Sequence, residues 1–336
     1  MTIIDIAKES GYSVSTVSRV LNNRKDVSPE AKQRILAIVE AYGFVPNNNA
    51  KRLKQTTTKA ILVVVKGTLN MLFANIIESI QKMVEDSEYT VGVHYLDEDA
   101  NEVEEAIRLC RERKPLGILF LGGNPDYFKA EFGNITIPCV LVTTQGEKLS
   151  FDNLSSVATD DITAAEQAVD YLVDNGHRNI AVLGGDLQSS DVSRQRFQGY
   201  HNSFLKHGLT PDTKRYYEKA RFSYDSAYQA MTRLLDKQIP ITAVFAMSDV
   251  MAVGAIRAIC DRGLRVPDDI SMIGFDGTML ADYYNPKIVT IRQRYEEIAS
   301  RSVEILLRMI DLNTPAAHEL IPFELQNTES VRKISE

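Results

Sequence analysis

The stretch Thr2–Asn22, TIIDIAKESGYSVSTVSRVLN, decides how the amino-terminal part of the chain folds. Thr2 and Asp5 have the spacing of a helix-capping pair, and apolar residues then recur at helical spacing. These apolar residues are Ile3, Ile6 and Ala7. Gly11 follows at a sharp turn, a position that favours glycine where φ is positive. A second helix is predicted over 14–21, so the stretch has the form of a DNA-reading helix-turn-helix.

The predicted second helix has an inward face and a face free to meet a ligand. The inward residues are Val17, Val20 and Leu21, and the residues of the opposite face are Val14, Ser15, Ser18 and Arg19. Arg19 is the only charged residue of that face, and a guanidinium can pair bidentately with guanine O6 and N7, worth about 1–3 kcal/mol of discrimination. Ser13 can accept backbone N–H groups at the helix start. Ser15 and Thr16 can donate to bases or phosphates.

A third helix with a clear start follows. Ser28 is suited to the N-cap and Pro29 to the first helical position, and Gly43 marks the end. The apolar residues between them are Ile35, Ile38, Val39 and Tyr42. Three helices would therefore enclose one small core, and from this stretch alone a three-helix module with a packing role is the alternative interpretation.

Charge is distributed unevenly along the 336 residues. The total is −7, whereas residues 1–59 carry ten basic and five acidic side chains, so this part is +5 and the remainder −12. A basic head on an acidic body would bind phosphate through the head alone, with an affinity that falls steeply as salt rises. The length predicts at least two domains.

The amino-terminal sequence resembles the DNA-binding segment of the lactose/galactose repressor (LacI/GalR) family. The resemblance is carried by DIAKESGYSVSTVSRVLN and by VSPEAKQRILAIVEAYGFVPNNNAKRLK. By position, it implies base contacts from Val14, Ser15 and Arg19. It implies phosphate contacts near Ser13, Thr16, Ser18 and Asn22. Small side chains at positions 14 and 15 leave the operator sequence open.

Residues 46–59, PNNNAKRLKQTTTK, are polar and basic and cannot bury enough surface to fold alone. A solvated tether is one interpretation. Two helical turns over 47–54 that become ordered on binding are the other. The resemblance implies a hinge helix that pairs with its dimer mate in the minor groove, with Leu53 as the side chain inserted between bases.

From Ala60 onward, short apolar runs alternate with stretches long enough for a helix, which predicts an α/β body with parallel sheets. The runs are Ala60–Val65, Thr90–Tyr95, Gly117–Leu121, Cys139–Val142, Asn179–Leu183, Ala243–Ala246 and Ile270–Phe275. They form two sets and so predict two lobes, and 288–310 is expected to be a strand and a long helix that returns to the first lobe. The predicted divisions are headpiece 1–46, linker 47–59, lobe 1 at about 60–158 and 290–322, and lobe 2 at about 161–287 and 323–336.

The body resembles the periplasmic-binding-protein-like effector domain of the same family through VATDDITAAEQAVDYLVDNGHRNIAVLGG, SRQRFQGY and FAMSDVMAVGAIRAICDRGLRVPDDISMIGFDG. By position, the implied effector-binding residues are Phe73, Arg196, Phe222, Ser248, Asp249 and Asp276. An arginine, a carboxylate and an aromatic ring together suit a sugar. Phe73 and Phe222 could equally be core residues, Arg196 a surface ion pair and Asp249 a helix cap. Thr143 stands where some sugar-responsive members have aspartate, which leaves a nucleobase open.

The leading interpretation is therefore a ligand-controlled repressor that binds double-stranded operator DNA as a homodimer in the cytoplasm and is released by a sugar-like effector. A corepressor-dependent regulator that binds a nucleobase is the alternative, and a carbohydrate receptor without a DNA role is a third. An enzyme is disfavoured because motifs such as GxSxG, HExxH and GxGxxG do not occur. No cofactor, metal or membrane partner is expected. The ending LQNTESVRKISE has no leucine heptad, so a dimer is expected rather than a tetramer.

Overall fold

The computed structural model describes residues 2–21, 27–43, 59–67 and 70–334. The chain divides into two compact units, residues 1–58 and residues 59–336. The division falls at the end of the predicted linker. No helix in the described ranges is long and apolar enough to cross a membrane.

The first unit contains three helices, α1 (Ile3–Ser10), α2 (Val14–Leu21) and α3 (Pro29–Ala41). Thr2 and Asp5 form the predicted capping box: the Thr2 N–H donates to the Asp5 carboxylate at 2.8 Å, and the Asp5 N–H donates to the Thr2 hydroxyl at 3.3 Å. Gly11 ends α1 with φ +76°, a conformation that favours glycine. The caps thus fix the turn between the first two helices.

The inward faces of these helices enclose one small apolar core. Its buried members are Ile6, Ala7, Val17, Val20 and Ile35. Tyr42 is one of the apolar residues predicted for the third helix, but it lies outside this core. The helix ends at Ala41, and the Tyr42 ring is exposed. Its hydroxyl instead donates to the Glu9 carboxylate at 2.8 Å.

The second unit has two lobes, each with a six-stranded sheet. Lobe 1 contains β1 (Lys59–Lys66), α4 (Met71–Val84), β2 (Tyr89–Leu96), α5 (Glu102–Arg113), β3 (Gly117–Leu121), α6 (Pro125–Glu131), β4 (Cys139–Val142), β5 (Leu154–Ala158), α13 (Tyr295–Leu312) and β11 (His318–Leu320). Its strand order is β11-β5-β4-β3-β1-β2, and every pairing is parallel.

Lobe 2 has the same architecture. It contains α7 (Asp161–Asp174), β6 (Ile180–Gly184), α8 (Asp191–Lys206), α9 (Thr213–Tyr216), β7 (Tyr217–Lys219), α10 (Tyr224–Asp236), β8 (Ala243–Ala246), α11 (Asp249–Asp261), β9 (Ser271–Asp276), α12 (Met279–Tyr283), β10 (Val289–Gln293) and β12 (Phe323–Gln326). The strand order is β12-β10-β9-β8-β6-β7. All pairings are parallel except that of β10 with β12.

The apolar runs of the central strands are explained by helices on both faces of each sheet. In β1, Ile61, Val63 and Val65 pack on the α4 and α13 side. Leu62 and Val64 pack on the α5 and α6 side. Alternate side chains of one strand therefore enter two different cores, and an uninterrupted apolar run follows.

The chain crosses between the lobes three times. The position of one crossing differs from the predicted lobe boundary. The prediction assigns 290–322 to lobe 1, but β10 pairs with β9 and β12 and so lies in the lobe 2 sheet. The chain crosses after Gln293, and α13 then packs against lobe 1 as predicted. β5, β7, β11 and β12 were not predicted, and β7 and β11 are three-residue strands at sheet edges.

Candidate functional site

The outward face of α2 is the candidate DNA-binding surface. Val14, Ser15 and Arg19 are exposed, and Val14 keeps 38% of its surface accessible although it is apolar. Thr16 and Ser18 are half-buried at the sides of this face. The structure thus brings the predicted base-reading residues together on one side of one helix.

Ser13 shapes the start of α2. Its hydroxyl accepts from the backbone N–H of Thr16 at 3.2 Å, the cap that the sequence predicts. The same hydroxyl lies 2.8 Å from the hydroxyls of Ser15 and Thr16. Three hydroxyls therefore cluster at a helix N-terminus, where the positive end of the helix dipole favours anions such as phosphate.

Two of the predicted DNA contacts, Asn22 and Leu53, lie outside the described residues. The hinge helix predicted for 47–54 lies outside them as well.

The candidate effector site is a cavity of about 570 Å³ between the two lobes. It lies at the carboxyl ends of the central strands, where open α/β sheets bind ligands. Of the predicted effector residues, the cavity is lined by Phe73, Thr143, Arg196, Phe222 and Asp276. Residues from both lobes therefore face one polar cavity, of the size that small-molecule sites have.

Arg196 lies on the floor of this cavity and is only 5% exposed. Its Nε donates to the Asp161 carboxylate at 2.7 Å, and its Nη1 donates to the Met247 carbonyl. The guanidinium lies 3.6 Å from the centre of the Phe275 ring. Arg196 is thus held in a buried ion pair, not in the surface ion pair that was the alternative prediction.

Asp276 ends β9 beside this guanidinium, with Oδ1 3.7 Å from Arg196 Nη1. It has φ +110°, and burial to 3% exposure raises the pKa of its carboxyl well above the ordinary value, although Arg196 opposes the shift. Gln293 donates to Asp276 Oδ1 at 2.9 Å and accepts from the Thr159 hydroxyl at 2.9 Å. Thr159 and Gln293 each adjoin a segment in which the chain crosses between the lobes. Asp276 on the cleft floor is therefore hydrogen-bonded to these crossing segments.

Ser248 and Asp249 do not line the cavity. Ser248, not Asp249, caps α11, because its hydroxyl accepts from the Met251 N–H at 3.2 Å. Asp249 instead accepts from Thr290 at 2.6 Å and from the N–H and hydroxyl of Thr278 at 2.7 and 2.9 Å. Burial raises the pKa of its carboxyl. Asp249 therefore holds the loop after β9 in place.

Two aromatic rings form part of the cavity wall, one from each lobe. Phe73 of α4 packs against Gly122, where an added Cβ would lie 3.2 Å from the ring. Phe222 lies against Gly185, where an added Cβ would lie 3.3 Å from its ring. The glycines after β3 and β6 thus allow the rings to approach the strand ends.

Several cavity residues are not among the predicted effector-binding residues. Lys66, at the end of β1, pairs with the buried Glu102 at 2.7 Å and lies over the Tyr127 ring. Asn124 donates its amide to the Ser189 carbonyl at 3.1 Å, a hydrogen bond from lobe 1 to lobe 2. In the sequence, the indication of a binding role for Asn124 is its position after two glycines at the end of β3.

A second connection between the lobes is made by ion pairs. Arg221 of lobe 2 lies 2.5 Å from carboxylate oxygens of both Asp97 and Glu98 in lobe 1 and 3.2 Å from Asp99. All four residues line the cavity. The sequence gives no sign of this pairing, because residues 97 and 221 meet only when the lobes are assembled.

A three-helix unit with a DNA-reading helix and a two-lobed body around a polar cavity together define a class: transcription factors controlled by small molecules. The profile described as "Bacterial regulatory proteins, lacI family" matches residues 2–47, and that described as "Periplasmic binding protein-like domain" matches residues 169–331. The HTH-type transcriptional regulator MalR of Clostridium butyricum is 36% identical over 98% of this chain and 99% of its own length. The chain belongs to the LacI family of transcriptional regulators.

Solved structures agree with this assignment. The Lac repressor dimer bound to operator and the anti-inducer ONPF is 25% identical, with a TM-score of 0.78 and coverage of 99% of both chains. The complex of the transcriptional regulator CelR with cellobiose is 26% identical, with a TM-score of 0.70 and coverage of 98% of this chain and 99% of that one. The predicted family and fold are confirmed.

Proposed function

We propose that this chain represses transcription as a homodimer bound to a pseudo-palindromic operator, and that a sugar-like effector in the interlobe cavity releases it. The observation that carries the proposal is the cavity itself, with Arg196 and Asp276 on its floor and an aromatic ring contributed by each lobe. A dimer on operator DNA and a bound sugar are described for two structural neighbours. The protein would work in the cytoplasm, where its operator is.

In the DNA-binding role, Arg19 reads a base edge in the major groove, and Val14 and Ser15 contact neighbouring bases. Val14 can touch a thymine methyl, and a serine hydroxyl can serve several bases. Ser13, Thr16, Ser18 and Asn22 bind phosphates near the same groove, and Leu53 enters the minor groove from the hinge. The exposed α2 face supports the first part of this assignment.

In the effector role, the vicinal hydroxyls of a sugar hydrogen-bond to Arg196 and Asp276, and the apolar face of the ring stacks on Phe222 or Phe73. Thr143 adds a hydroxyl at the cavity wall. A protein oxygen that accepts and a guanidinium that donates are complementary to a hydroxyl, which does both. Ser248 and Asp249 are left out of this role, because the residues that line the cavity do not include them.

Effector binding is coupled to DNA release through the lobes. A ligand that contacts both lobes favours one lobe arrangement over another, and it shifts the equilibrium by its differential affinity for the two. Such coupling is typically about 1–3 kcal/mol and is reciprocal, so operator DNA should weaken effector binding by the same factor.

The test is a fluorescence anisotropy titration of the full chain on promoter fragments and on a randomised duplex pool, with and without added sugars. We expect tight, saturable binding to a two-fold symmetric sequence and a five- to 150-fold loss of affinity with the effector, which is the range for that coupling. Absence of preference for any duplex at low salt would refute the DNA role. Binding that strengthens with the ligand would show a corepressor instead.

A further inference from the structure

Two lysines that face the cavity are already neutralised by the protein. Lys66 Nζ lies 2.7 Å from the carboxylate of Glu102, which is almost completely buried beneath the cavity wall. In lobe 2, Lys219 Nζ lies 2.5 Å from the Asp186 carboxylate, and this hydrogen bond lowers the pKa of the Asp186 carboxyl. Neither lysine therefore offers an uncompensated positive charge to a ligand.

The two arginines that line the cavity are neutralised in the same way. Arg196 is paired with Asp161 below the cavity floor. Arg221 is surrounded by three carboxylates, of which Asp99 is largely exposed and lies 3.2 Å away. Together with the two lysines, these are the cations that the described residues contribute to the cavity lining.

Carboxylates outnumber these cations. The acidic lining residues are Asp97, Glu98, Asp99, Asp186, Asp191 and Asp276, six against four. Asp191 pairs with Arg194 at 3.1 Å, and it also occupies the first turn of α8, where it opposes the positive end of the helix dipole that would otherwise attract an anion. Burial raises the pKa of the Asp276 carboxyl, so the excess of negative charge lies around Arg221, where one guanidinium faces the carboxylates of Asp97, Glu98 and Asp99. That side of the cavity is therefore electrostatically negative.

We infer that this cavity selects an electrically neutral, polyhydroxylated ligand and discriminates against phosphorylated and carboxylated sugars. The inference rests on the proposed sugar-like effector and narrows its chemical class. An ionised carboxylate accepts hydrogen bonds but cannot donate them, so the surplus carboxylates match sugar hydroxyl donors and repel phosphate or carboxylate oxygens. An anionic ligand would gain a cation only by displacing a protein carboxylate from it.

Matched ligand pairs test this inference on the full chain. Isothermal titration calorimetry compares glucose, maltose and cellobiose with glucose 6-phosphate and glucuronate at fixed ionic strength. We expect at least one neutral sugar to bind and the anionic compounds to bind about tenfold or more weakly than the neutral sugars, since tenfold corresponds to about 1.4 kcal/mol. An anionic compound that binds as tightly as or more tightly than the neutral sugars would overturn the inference while leaving the sugar-like effector intact. If none of the five binds, the proposed sugar-like effector fails, and this inference fails with it.

A charge variant tests the source of the selectivity. Asp186→Asn frees Lys219, so the ratio of glucose 6-phosphate affinity to glucose affinity should rise about tenfold. Asp236→Asn is the matched control. Asp236, at the end of α10, pairs with Arg262 at 2.6 Å and does not line the cavity. The same ratio in both variants would show that the ion pairs do not set the selectivity.

Discussion

Arg196 is buried in ion pairs and also lines the proposed site, so its surroundings bear on both stability and ligand binding. Its guanidinium compensates two carboxylates, Asp161 and Asp276, that are each less than 5% exposed. Burial raises the pKa of the Asp161 carboxyl, and Arg196 opposes that shift. Removing the cation would leave buried charge without a partner, which costs much more than losing an exposed ion pair.

We therefore expect Arg196→Met to lower the free energy of unfolding by about 3–5 kcal/mol. Urea denaturation followed by circular dichroism measures this loss. Arg262→Met is the control, because the Arg262 pair with Asp236 is solvent-exposed and should be worth less than about 1 kcal/mol. Equal losses in the two variants would contradict the importance of burial here.

His177 predicts a pH dependence of stability. It is buried, with Nδ1 3.0 Å from the Thr242 hydroxyl and Nε2 3.0 Å from the Arg332 carbonyl, and burial lowers the pKa of its imidazole below 6.5. In the interval between the folded pKa and 6.5 the unfolded chain binds more protons, so stability is complete above 6.5 and is lost as pH falls through the folded value.

The expected slope from this group is at most about 1.4 kcal/mol per pH unit below pH 6.5. Urea unfolding of wild type and His177→Gln between pH 5 and 7.5 isolates it. The variant should be less stable at pH 7.5 and should lose less stability on acidification. Parallel pH curves for the two proteins would exclude a contribution from His177.

At the scale of elements, the close packing of α7 against α8 positions the cleft floor, because Arg196 is carried by α8 and Asp161 begins α7. Gly199 makes this approach possible: an added Cβ would lie 2.3 Å from the Ile162 carbonyl oxygen and 2.7 Å from the Glu166 nitrogen. Both neighbours are backbone atoms, so they cannot move aside as a side-chain tip can.

Gly199→Ala should therefore lower the free energy of unfolding by about 1–3 kcal/mol, the usual cost of overpacking. It should also weaken effector binding by separating Arg196 from Asp161. Gly133→Ala is the control, since an added Cβ there meets nothing within 4 Å. Thermal unfolding measures the first effect and calorimetric titration the second. A stable Gly199→Ala protein with intact effector binding would contradict this account.

At the scale of the whole second unit, the relative position of the lobes depends on contacts across the cavity. Arg221, Asp97 and Asp99 are exposed and Glu98 is half-buried, so the network is worth about 1 kcal/mol rather than several. A network of that strength can shift the equilibrium between two lobe arrangements by about fivefold, so both arrangements stay populated.

Arg221→Ala should accordingly shift the lobes towards separation, and 0.5 M NaCl should have a similar effect on the wild type because salt screens exposed pairs. Fluorescence energy transfer between dyes on the two lobes measures the separation. Arg233→Ala is the control, because Arg233 pairs with Glu218 within lobe 2, 3.1 Å away. An unchanged transfer efficiency in Arg221→Ala would show that other contacts keep the lobes together.

Local patterns predicted much of the architecture. The boundaries of β3, β4 and β8 agree with the apolar runs, because buried parallel strands need apolar residues on both faces. The three-residue strands β7 and β11 escaped prediction because they lie at sheet edges and are mostly half-buried or exposed. Strand β10 was assigned to the wrong lobe because its partners, not its own sequence, decide which sheet it joins.

Local sequence was enough to predict the capped headpiece helices, the α/β alternation and the family, because caps, helical periodicity and apolar runs are local properties of the chain. Long-range packing, in contrast, buries Arg196 against Asp161, keeps Asp249 out of the cavity lining and gives each cavity cation a carboxylate partner. Those facts depend on contacts between residues far apart in the chain. Pairing over such distances is fixed by how the lobes pack, and no local spacing encodes it.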